Sequence, residues 1–311
     1  MLILYILAGM LLLCLCICLY CFYTGFYASR KKPADPNEIQ TPVGKIYDPY
    51  RASMENWIRE VRAMPHEEFF IKSFDGLTLH GNFYEYAPGA PIELMFHGYR
   101  GTAERDLSGG VQRCFRVGRS ALVVDQRCSG KSGGRVITFG IKEHRDCLSW
   151  VDFMVRRFGP NVKIILTGIS MGATTVLLAA GESLPACVRG VVADCGFTRP
   201  HDIWRHVAEQ NLHLRYGLHR HFVHRLCRKR LQDDLESLST VEAMKRCAVP
   251  VLFIHGTADS FVPVEMTYEN YEACAAPKQL LIVPGAGHGL SYCHDPIRYR
   301  QSLLQFWQMF G

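Results

Sequence analysis

The fold of this chain is decided by one stretch, Val162-Lys163-Ile164-Ile165-Leu166-Thr167-Gly168-Ile169-Ser170-Met171-Gly172. An apolar run leads into the pattern Gly-x-Ser-x-Gly, and small and apolar residues follow it to Ala180. This context predicts a strand, a sharp turn and a helix, in which the glycines allow close packing and the serine side chain projects above the sheet. Ser170 is therefore a candidate nucleophile. For an isolated pentapeptide the alternative is a buried turn serine between packing glycines.

The chain around this stretch repeats short apolar runs separated by helical stretches, which is typical of a parallel sheet covered on both faces. Further upstream, residues 68–73 and 77–86 alternate apolar and polar residues around Asp75-Gly76, which predicts an antiparallel hairpin at the sheet edge. We predict parallel strands at 92–96, 121–124, 163–168, 188–193, 249–254 and 279–283, and helices near 50–64, 105–117, 143–158, 171–181, 264–274 and 297–310. The fold class is therefore α/β, with a mostly parallel central sheet.

The first residues predict a membrane anchor. No charged side chain occurs from Leu2 to Tyr23, and about 20 helical residues are enough to cross a bilayer. A cleaved signal peptide is the competing interpretation, but a basic leader and an A-x-A site are missing around this run. We expect a transmembrane anchor at 1–26, a linker and N-terminal helix at 27–67, and one catalytic domain at 68–311.

The orientation of the anchor is predicted from the positive charges beside it. Arg30, Lys31 and Lys32 follow it, so the positive-inside rule places the remaining chain in the cytoplasm. The 13 cysteines agree with a reducing compartment, because the nine outside the anchor are scattered and odd in number. We expect them to be reduced, buried thiols. A net charge of +6 is too small to indicate nucleic acid.

About fifty residues between Phe197 and Cys247 interrupt the alternation of strands and helices and predict a cap insertion at about 197–247. The part from Arg205 to Arg230 is strongly basic, with Glu209 as its single acid. Two interpretations stay open for it. One is a solvated helical face, and the other is a basic surface toward anionic lipid or an acidic substrate group.

A serine nucleophile needs a base and an acid that orients it, and both are predicted at the carboxyl ends of strands, where open α/β sheets bind ligands. His288 follows the last strand within a glycine-rich loop and is the predicted general base, with His97 and His255 as rivals. Asp259 follows the preceding strand and gives the chain order Ser, Asp, His. Asp194 is the alternative acid, because it ends the neighbouring strand 188–193.

An oxyanion hole requires two backbone N–H donors near the nucleophile. Met171 supplies one at the positive end of its helix. The second is predicted in the loop His97-Gly98-Tyr99-Arg100-Gly101, and we assign it to the backbone N–H of Tyr99. An ordinary glycine turn is the alternative for this loop. The later loop 125–133 lacks the spacing of a phosphate-binding loop and is interpreted as a structural turn.

Taken together, five motifs in this order resemble the α/β-hydrolase superfamily: 97–101, 125–127, 168–172, 255–259 and 287–289. The chain looks most like membrane-anchored bacterial members grouped with serine aminopeptidase-like or monoglyceride-lipase-like hydrolases. The resemblance covers about Phe69 to Gly311. One departure is Cys128-Ser129, where relatives commonly carry a small residue and His, and it puts the pocket wall in doubt.

This resemblance implies a serine hydrolase with the triad Ser170, His288 and Asp259, and we expect carboxylic ester cleavage through an acyl-enzyme. A serine peptidase or amidase, an acyl thioesterase and a non-catalytic membrane scaffold are the alternatives. We expect a small-molecule or lipid-like acyl substrate, membrane attachment through the first helix, no nucleic acid partner, and no metal or organic cofactor.

Overall fold

The chain folds around one central sheet of eight strands. The computed structural model describes residues 1–28, 35, 37–211, 216–231 and 234–310. The strands of the sheet are β1 Glu67–Lys72, β2 Thr78–Tyr84, β3 Ile92–Phe96, β4 Ser120–Asp125, β5 Ile164–Ile169, β6 Val188–Asp194, β7 Val251–Gly256 and β8 Lys278–Val283. They form one sheet in the order β1-β2-β4-β3-β5-β6-β7-β8. β2 pairs antiparallel with both β1 and β4, whereas the other neighbours are parallel. The predicted fold class is therefore confirmed.

Helices cover both faces of this sheet. The described α-helices of the chain are α1 Leu2–Phe26, α2 Arg51–Ala63, α3 Ala103–Arg116, α4 Glu143–Phe158, α5 Met171–Ala180, α6 Pro200–His206, α7 Tyr216–Leu226, α8 Thr240–Met244, α9 Val264–Ala273, α10 Ser291–His294 and α11 Pro296–Phe310. A 3-10 helix at Lys45–Tyr50 precedes α2, and π-helical segments at Val207–Asn211 and Cys227–Leu231 extend α6 and α7.

The two faces of the sheet are filled from opposite sides because side chains alternate along a strand. On β5, Leu166 belongs to the cluster that contains Trp150 of α4 and Leu177 of α5. The adjacent Ile165 belongs to the cluster that contains Phe306 of α11. Both side chains are fully buried, which explains why the first half of β5, from Ile164 to Leu166, is continuously apolar and does not alternate.

Most predicted elements differ from the observed ones by one or two residues at their ends. β7 begins at Val251, two residues later than predicted, because Pro250 has no backbone N–H to donate to a strand ladder. The 3-10 helix at Lys45–Tyr50 was not predicted. These residues fall within the range 27–67, which was predicted as a linker and N-terminal helix.

The first helix is long and apolar enough to cross a membrane by length and composition, and a signal sequence passes the same test. Its last turns do not stand apart from the domain. Phe22 and Phe26 are fully buried and share a cluster with Phe139 and Ile203, and the backbone N–H of Ile137 donates to the carbonyl of Phe26 at 2.8 Å. The end of the predicted anchor is thus packed into the catalytic domain.

The interval between β6 and β7 holds α6, α7 and α8, in the place where a cap was predicted. Arg205 and Arg220 of this region lie near Glu209 and Glu236, respectively. Arg215 lies outside the described residues, as do Arg30, Lys31 and Lys32, on which the orientation was predicted. All 13 cysteines are thiols and not disulfides, and seven of the nine that follow α1 are buried.

Candidate active site

Ser170 lies at the turn between β5 and α5, in a backbone conformation that few non-glycine residues adopt. Its φ of 57° and ψ of −119° point to a strained turn that the surrounding structure maintains. The flanking glycines explain how strand and helix come so close. A Cβ atom at Gly172 would lie 2.1 Å from the carbonyl oxygen of Phe96, and one at Gly168 would lie 2.1 Å from that of Gly172.

His288 contacts Ser170 and Asp259 with its two ring nitrogens. Its Nε2 lies 2.9 Å from the Ser170 Oγ, and its Nδ1 lies 2.7 Å from Oδ2 of Asp259. An ionised carboxylate only accepts hydrogen bonds, so Nδ1 carries the proton and Nε2 is left to accept from the serine hydroxyl. The structure brings the three residues together in the geometry that a nucleophile, a base and an orienting acid require.

Asp259 is held as an ionised carboxylate by its hydrogen bonds. Burial alone would raise its pKa, but donors from His255 and His288 and a backbone N–H hold that pKa well below its usual range. The backbone N–H groups of Phe261 and Val262 donate to Oδ1 at 2.9 and 2.8 Å. Oδ1 is thereby occupied by the loop, and Oδ2 remains for the histidines.

The two rival histidines are buried, and their ring nitrogens have partners other than the hydroxyl of Ser170. His255 lies beneath Asp259, with Nε2 at 3.2 Å from the carboxylate and Nδ1 at 2.6 Å from Thr267 Oγ1. His97 accepts at Nε2 from the backbone N–H of Gln126 and therefore donates from Nδ1 to the carbonyl of Gly98. Burial lowers the pKa of His97. Sequence reasoning missed the role of His255 as a second partner of Asp259.

Asp194, the alternative acid, has a different partner. Its Oδ1 accepts a hydrogen bond at 2.9 Å from the hydroxyl of Ser291. The side chain is buried, and desolvation raises its pKa to about 6. Its backbone carbonyl accepts from the N–H of Ser170 at 2.8 Å. Asp194 therefore supports the serine turn through its main chain.

We expect replacement of Asp194 by Asn to stabilise the protein at alkaline pH. The carboxyl has a pKa of 3.8 in the unfolded chain and about 6 in the folded one, so the folded state retains a proton that the unfolded state loses. The stability linked to this proton is complete below pH 3.8 and is lost as the pH rises through 6. The Asn side chain does not titrate, so the variant does not lose this stability as the pH rises.

Urea unfolding of Asp194→Asn and wild type at pH 5 and pH 8 measures this effect. The gain of the variant is expected to grow between the two values by about 1.4 kcal/mol, because roughly half of the linked stability is already lost at pH 5. A difference in unfolding free energy that stays the same at both pH values would contradict the assignment.

The loop that carries Tyr99 approaches the nucleophile through Gly98, whereas the donor roles of Tyr99 and Met171 stay predictions. Gly98 is so near that a Cβ atom added to it would lie 3.6 Å from the Cβ of Ser170, and its N–H points to Oδ2 of Asp106 at 3.3 Å. Met171 is the first residue of α5, where backbone N–H groups have no partner within the helix. The hydroxyl of Tyr99 donates to the carbonyl of Gly25 at 2.6 Å.

A cavity of about 460 Å³ opens at these residues. Its wall is mostly apolar and includes Ser170, His288 and Gly98. Sequence reasoning missed a second part of the wall, which is formed by residues 42–47 together with Met54 and Trp57. Cys128, which departs from the pattern of similar proteins, packs against the cap cluster and is not among the lining residues described.

Tyr47 is the part of this N-terminal wall that contacts the triad. Its hydroxyl donates to the backbone carbonyl of His288 at 3.2 Å, and burial raises its pKa well above the usual range. Tyr50 adds a contact to α10, which follows this loop, with its hydroxyl at 2.8 Å from Nδ1 of His294. No motif marks these tyrosines in the sequence.

Two groups of described residues bring three metal-binding atoms within 4.8 Å of one another. One consists of Cys195 with Asp259 and His288 and therefore coincides with the site already described. The other lies in the cap, where His201 Nδ1 is 3.2 Å from His224 Nε2 and 3.6 Å from Glu236. Glu236 is itself paired with a guanidinium group, and His224 contacts Asp234, so this group is a polar network that joins α6 and α7.

Comparison with known families and proteins agrees with the fold. The model of the prolyl oligopeptidase family matches residues 138–310. The uncharacterized protein YqkD of Bacillus subtilis is 28% identical over 197 residues, which cover 61% of this chain and 62% of YqkD. The uncharacterized protein YfhR of Salmonella typhi is 24% identical over 291 residues, which cover 88% of this chain and 87% of that protein.

Solved structures share the fold at low sequence identity. The esterase Pf2001 of Pyrococcus furiosus superposes with a TM-score of 0.67 at 20% identity and covers 87% of this chain and 97% of its own. Est1E of Butyrivibrio proteoclasticus, solved with bound ferulic acid, has a TM-score of 0.59 at 19% identity, over 78% and 98% of the two chains. A puromycin-hydrolyzing peptidase of Mycobacterium tuberculosis has a TM-score of 0.61 at 17% identity, over 79% and 39%.

Proposed function

The chain belongs to the prolyl oligopeptidase family within the α/β-hydrolase superfamily, and we propose that it is a serine hydrolase that cleaves carboxylic esters through a covalent acyl-enzyme. The observation that carries this proposal is the continuous set of contacts from Ser170 Oγ through His288 to Asp259, at 2.9 and 2.7 Å. The side chains of the three residues come from three separate loops. Their convergence is the arrangement that activates a serine hydroxyl.

In the proposed reaction, Nε2 of His288 takes the hydroxyl proton while Ser170 Oγ attacks the ester carbonyl. The imidazolium is stabilised by the Asp259 carboxylate, which does not itself accept the proton. The same proton is then given to the departing alkoxide, which leaves as an alcohol. A water molecule, activated by His288, hydrolyses the acyl-enzyme and restores the serine.

We propose that the backbone N–H groups of Met171 and Tyr99 stabilise the negative charge on the tetrahedral oxygen by donating hydrogen bonds to it. The position of Met171 at the start of α5 supports this, because helix N-termini favour negative charge. The closeness of Gly98 to Ser170 supports it for the loop. Each such donor contributes about 10²–10³ in rate in enzymes where it has been removed.

The lining of the cavity favours a substrate whose acyl group is apolar. Ile46, Met54, Trp57 and Tyr292 contribute apolar or aromatic surface to the same wall that reaches Ser170. Removing apolar area from water stabilises binding by about 25 cal/mol per Å². A small-molecule or lipid-like ester is the substrate class that this surface favours.

A peptidase acting on amides is the second candidate, and the family membership favours it. A panel of p-nitrophenyl esters with increasing acyl length, compared with aminoacyl p-nitroanilides, separates the two. We expect kcat/KM to be at least tenfold higher for the best ester than for any anilide. The opposite order would overturn the ester assignment and leave the serine chemistry in place. An acyl thioesterase would be recognised by faster cleavage of the matching thioester.

We propose that α1 is an uncleaved single-pass anchor and that the catalytic domain faces the cytoplasm. The apolar composition of α1 supports the first part, and the basic residues at 30–32 of the sequence support the second. Protease added to intact cells is expected to leave the catalytic domain uncut. Removal of the catalytic domain by external protease would show that the domain faces the outside of the cell.

A further inference from the structure

The anchor helix divides into a free part and a docked part. Among the side chains described from Leu2 to Ile17, none is buried. From Cys18 onward one face of the helix is covered, and Phe22 and Phe26 are fully buried. Gly25 is so tightly packed that an added Cβ atom would lie 2.2 Å from the ring of Trp204 in the cap. The boundary between the two parts therefore falls near Cys18.

The docked part is bound to the loop that carries the predicted oxyanion donor. Tyr99 donates from its hydroxyl to the carbonyl of Gly25, and its ring stacks on Phe139 with centroids 5.0 Å apart. The guanidinium of Arg100 donates to the carbonyls of Thr24 and Tyr27. These carbonyls lie at the C-terminus of the helix, where they lack intrahelical partners and favour a positive charge. The helix end and the loop beside Ser170 thus form one unit.

The free part and the docked part belong to one continuous helix. α1 runs from Leu2 to Phe26, and the first buried side chain among those described, Cys18, follows directly on the exposed Ile17. A membrane that holds the free turns therefore ends close to the turns that the domain covers.

The cap carries cations on the element that lies beside the anchor. α7 contacts α1, and the exposed side chains of α7 and the π-helical segment after it include Arg225, Arg228, Lys229 and Arg230. Cations next to a membrane helix are attracted to anionic headgroups by about 1 kcal/mol each. This agrees with a cap edge at the level of the headgroups.

We infer that the substrate is an ester resident in the lipid bilayer, delivered to a site that the docked end of α1 holds at the membrane surface. The inference rests on the proposed serine hydrolase function and names its substrate class. The apolar wall of the cavity suits an acyl chain that leaves the membrane without entering water. The docked turns also explain why the helix would remain after synthesis, because its removal would expose the apolar surface around Phe139 and Trp204.

The test uses the full-length protein in vesicles of phosphatidylcholine and phosphatidylglycerol. One probe is a long-chain 4-methylumbelliferyl ester dissolved in the same vesicles, and the other is the water-soluble 4-methylumbelliferyl acetate. A variant carries a long Gly-Ser segment between Cys21 and Phe22, which keeps the fully buried Phe22 and Phe26 on the domain and moves the domain away from the bilayer. The matched control carries the same segment in the exposed turn between Pro88 and Gly89.

We expect the Cys21–Phe22 insertion to lower hydrolysis of the bilayer ester at least tenfold and to change that of the soluble acetate less than twofold. The control insertion should change neither. Equal activity of both insertion variants on the bilayer ester would overturn the inference. If the folded wild-type protein cleaves neither probe, the proposed hydrolase function fails instead, which is a distinct result.

A second measurement needs no variant and guards against an insertion that prevents folding. The long-chain ester is supplied either in the vesicles that hold the wild-type protein or in separate protein-free vesicles. Transfer between vesicles is slow for long acyl chains, so we expect at least tenfold slower hydrolysis in the second case. Equal rates for the two arrangements would contradict a bilayer-resident substrate.

Discussion

Replacement of Ser170 by Ala is expected to lower kcat for the best p-nitrophenyl ester by about 10⁵–10⁶-fold, with the protein still folded. The substitution removes the one atom that forms the covalent bond, while the turn keeps its glycines and its main-chain hydrogen bond to Asp194. Labelling by a fluorophosphonate probe should disappear with turnover. Circular dichroism and thermal unfolding check that the fold remains.

Ser260 provides the matched control, because its side chain is exposed and lines the same cavity. It has no place in the set of contacts that runs through His288. Ser260→Ala should retain kcat within about a factor of two and should still be labelled. Persistent labelling of Ser170→Ala, with loss of labelling in Ser260→Ala, would show that the nucleophile is Ser260 and not Ser170.

Replacement of Asp259 by Asn should lower kcat by about 10⁴-fold and leave KM nearly unchanged. The amide oxygen can still accept the N–H groups of Phe261 and Val262, so the loop keeps its shape. The amide NH₂ group would then face Nδ1 of His288 and force the ring proton onto Nε2. A protonated Nε2 can no longer accept the hydrogen bond from the serine hydroxyl. A change of this kind costs about 10⁴-fold where the tautomer is reversed.

The control for this prediction is Asp194→Asn, since both carboxyls end neighbouring strands. Asp194 bonds to Ser291 and not to the imidazole, so its variant should keep kcat within about threefold. Steady-state kinetics at pH 8 on both variants make the comparison. Inactivity of Asp194→Asn together with activity of Asp259→Asn would show that the orienting acid is Asp194.

The strands and the serine turn could be predicted from the sequence because their causes are local. The apolar run before Gly168 and the glycines on both sides of Ser170 specify a strand, a turn and a helix without reference to the remaining chain. The order of the motifs then orients His288 and Asp259 toward the same sheet edge, because carboxyl ends of parallel strands meet there. The distances between them follow only from the assembled fold.

The features that could not be predicted arise from contacts between distant segments. Tyr47 meets the carbonyl of His288 across 241 residues of sequence, and nothing near Tyr47 marks it. Phe22 and Phe26 are as apolar as the rest of α1, so composition alone cannot separate the docked turns from the free ones. His255 was a rival base in the sequence, and only the three-dimensional arrangement shows that it supports Asp259 from below.

The most direct test of the central claim is mass spectrometry of the wild-type protein after reaction with a fluorophosphonate. We expect a single adduct per chain, and peptide mapping should locate it on Ser170, with the rate of labelling reduced in Asp259→Asn. An adduct on another residue, or no adduct in folded protein that hydrolyses esters, would contradict the assignment of Ser170 as the nucleophile.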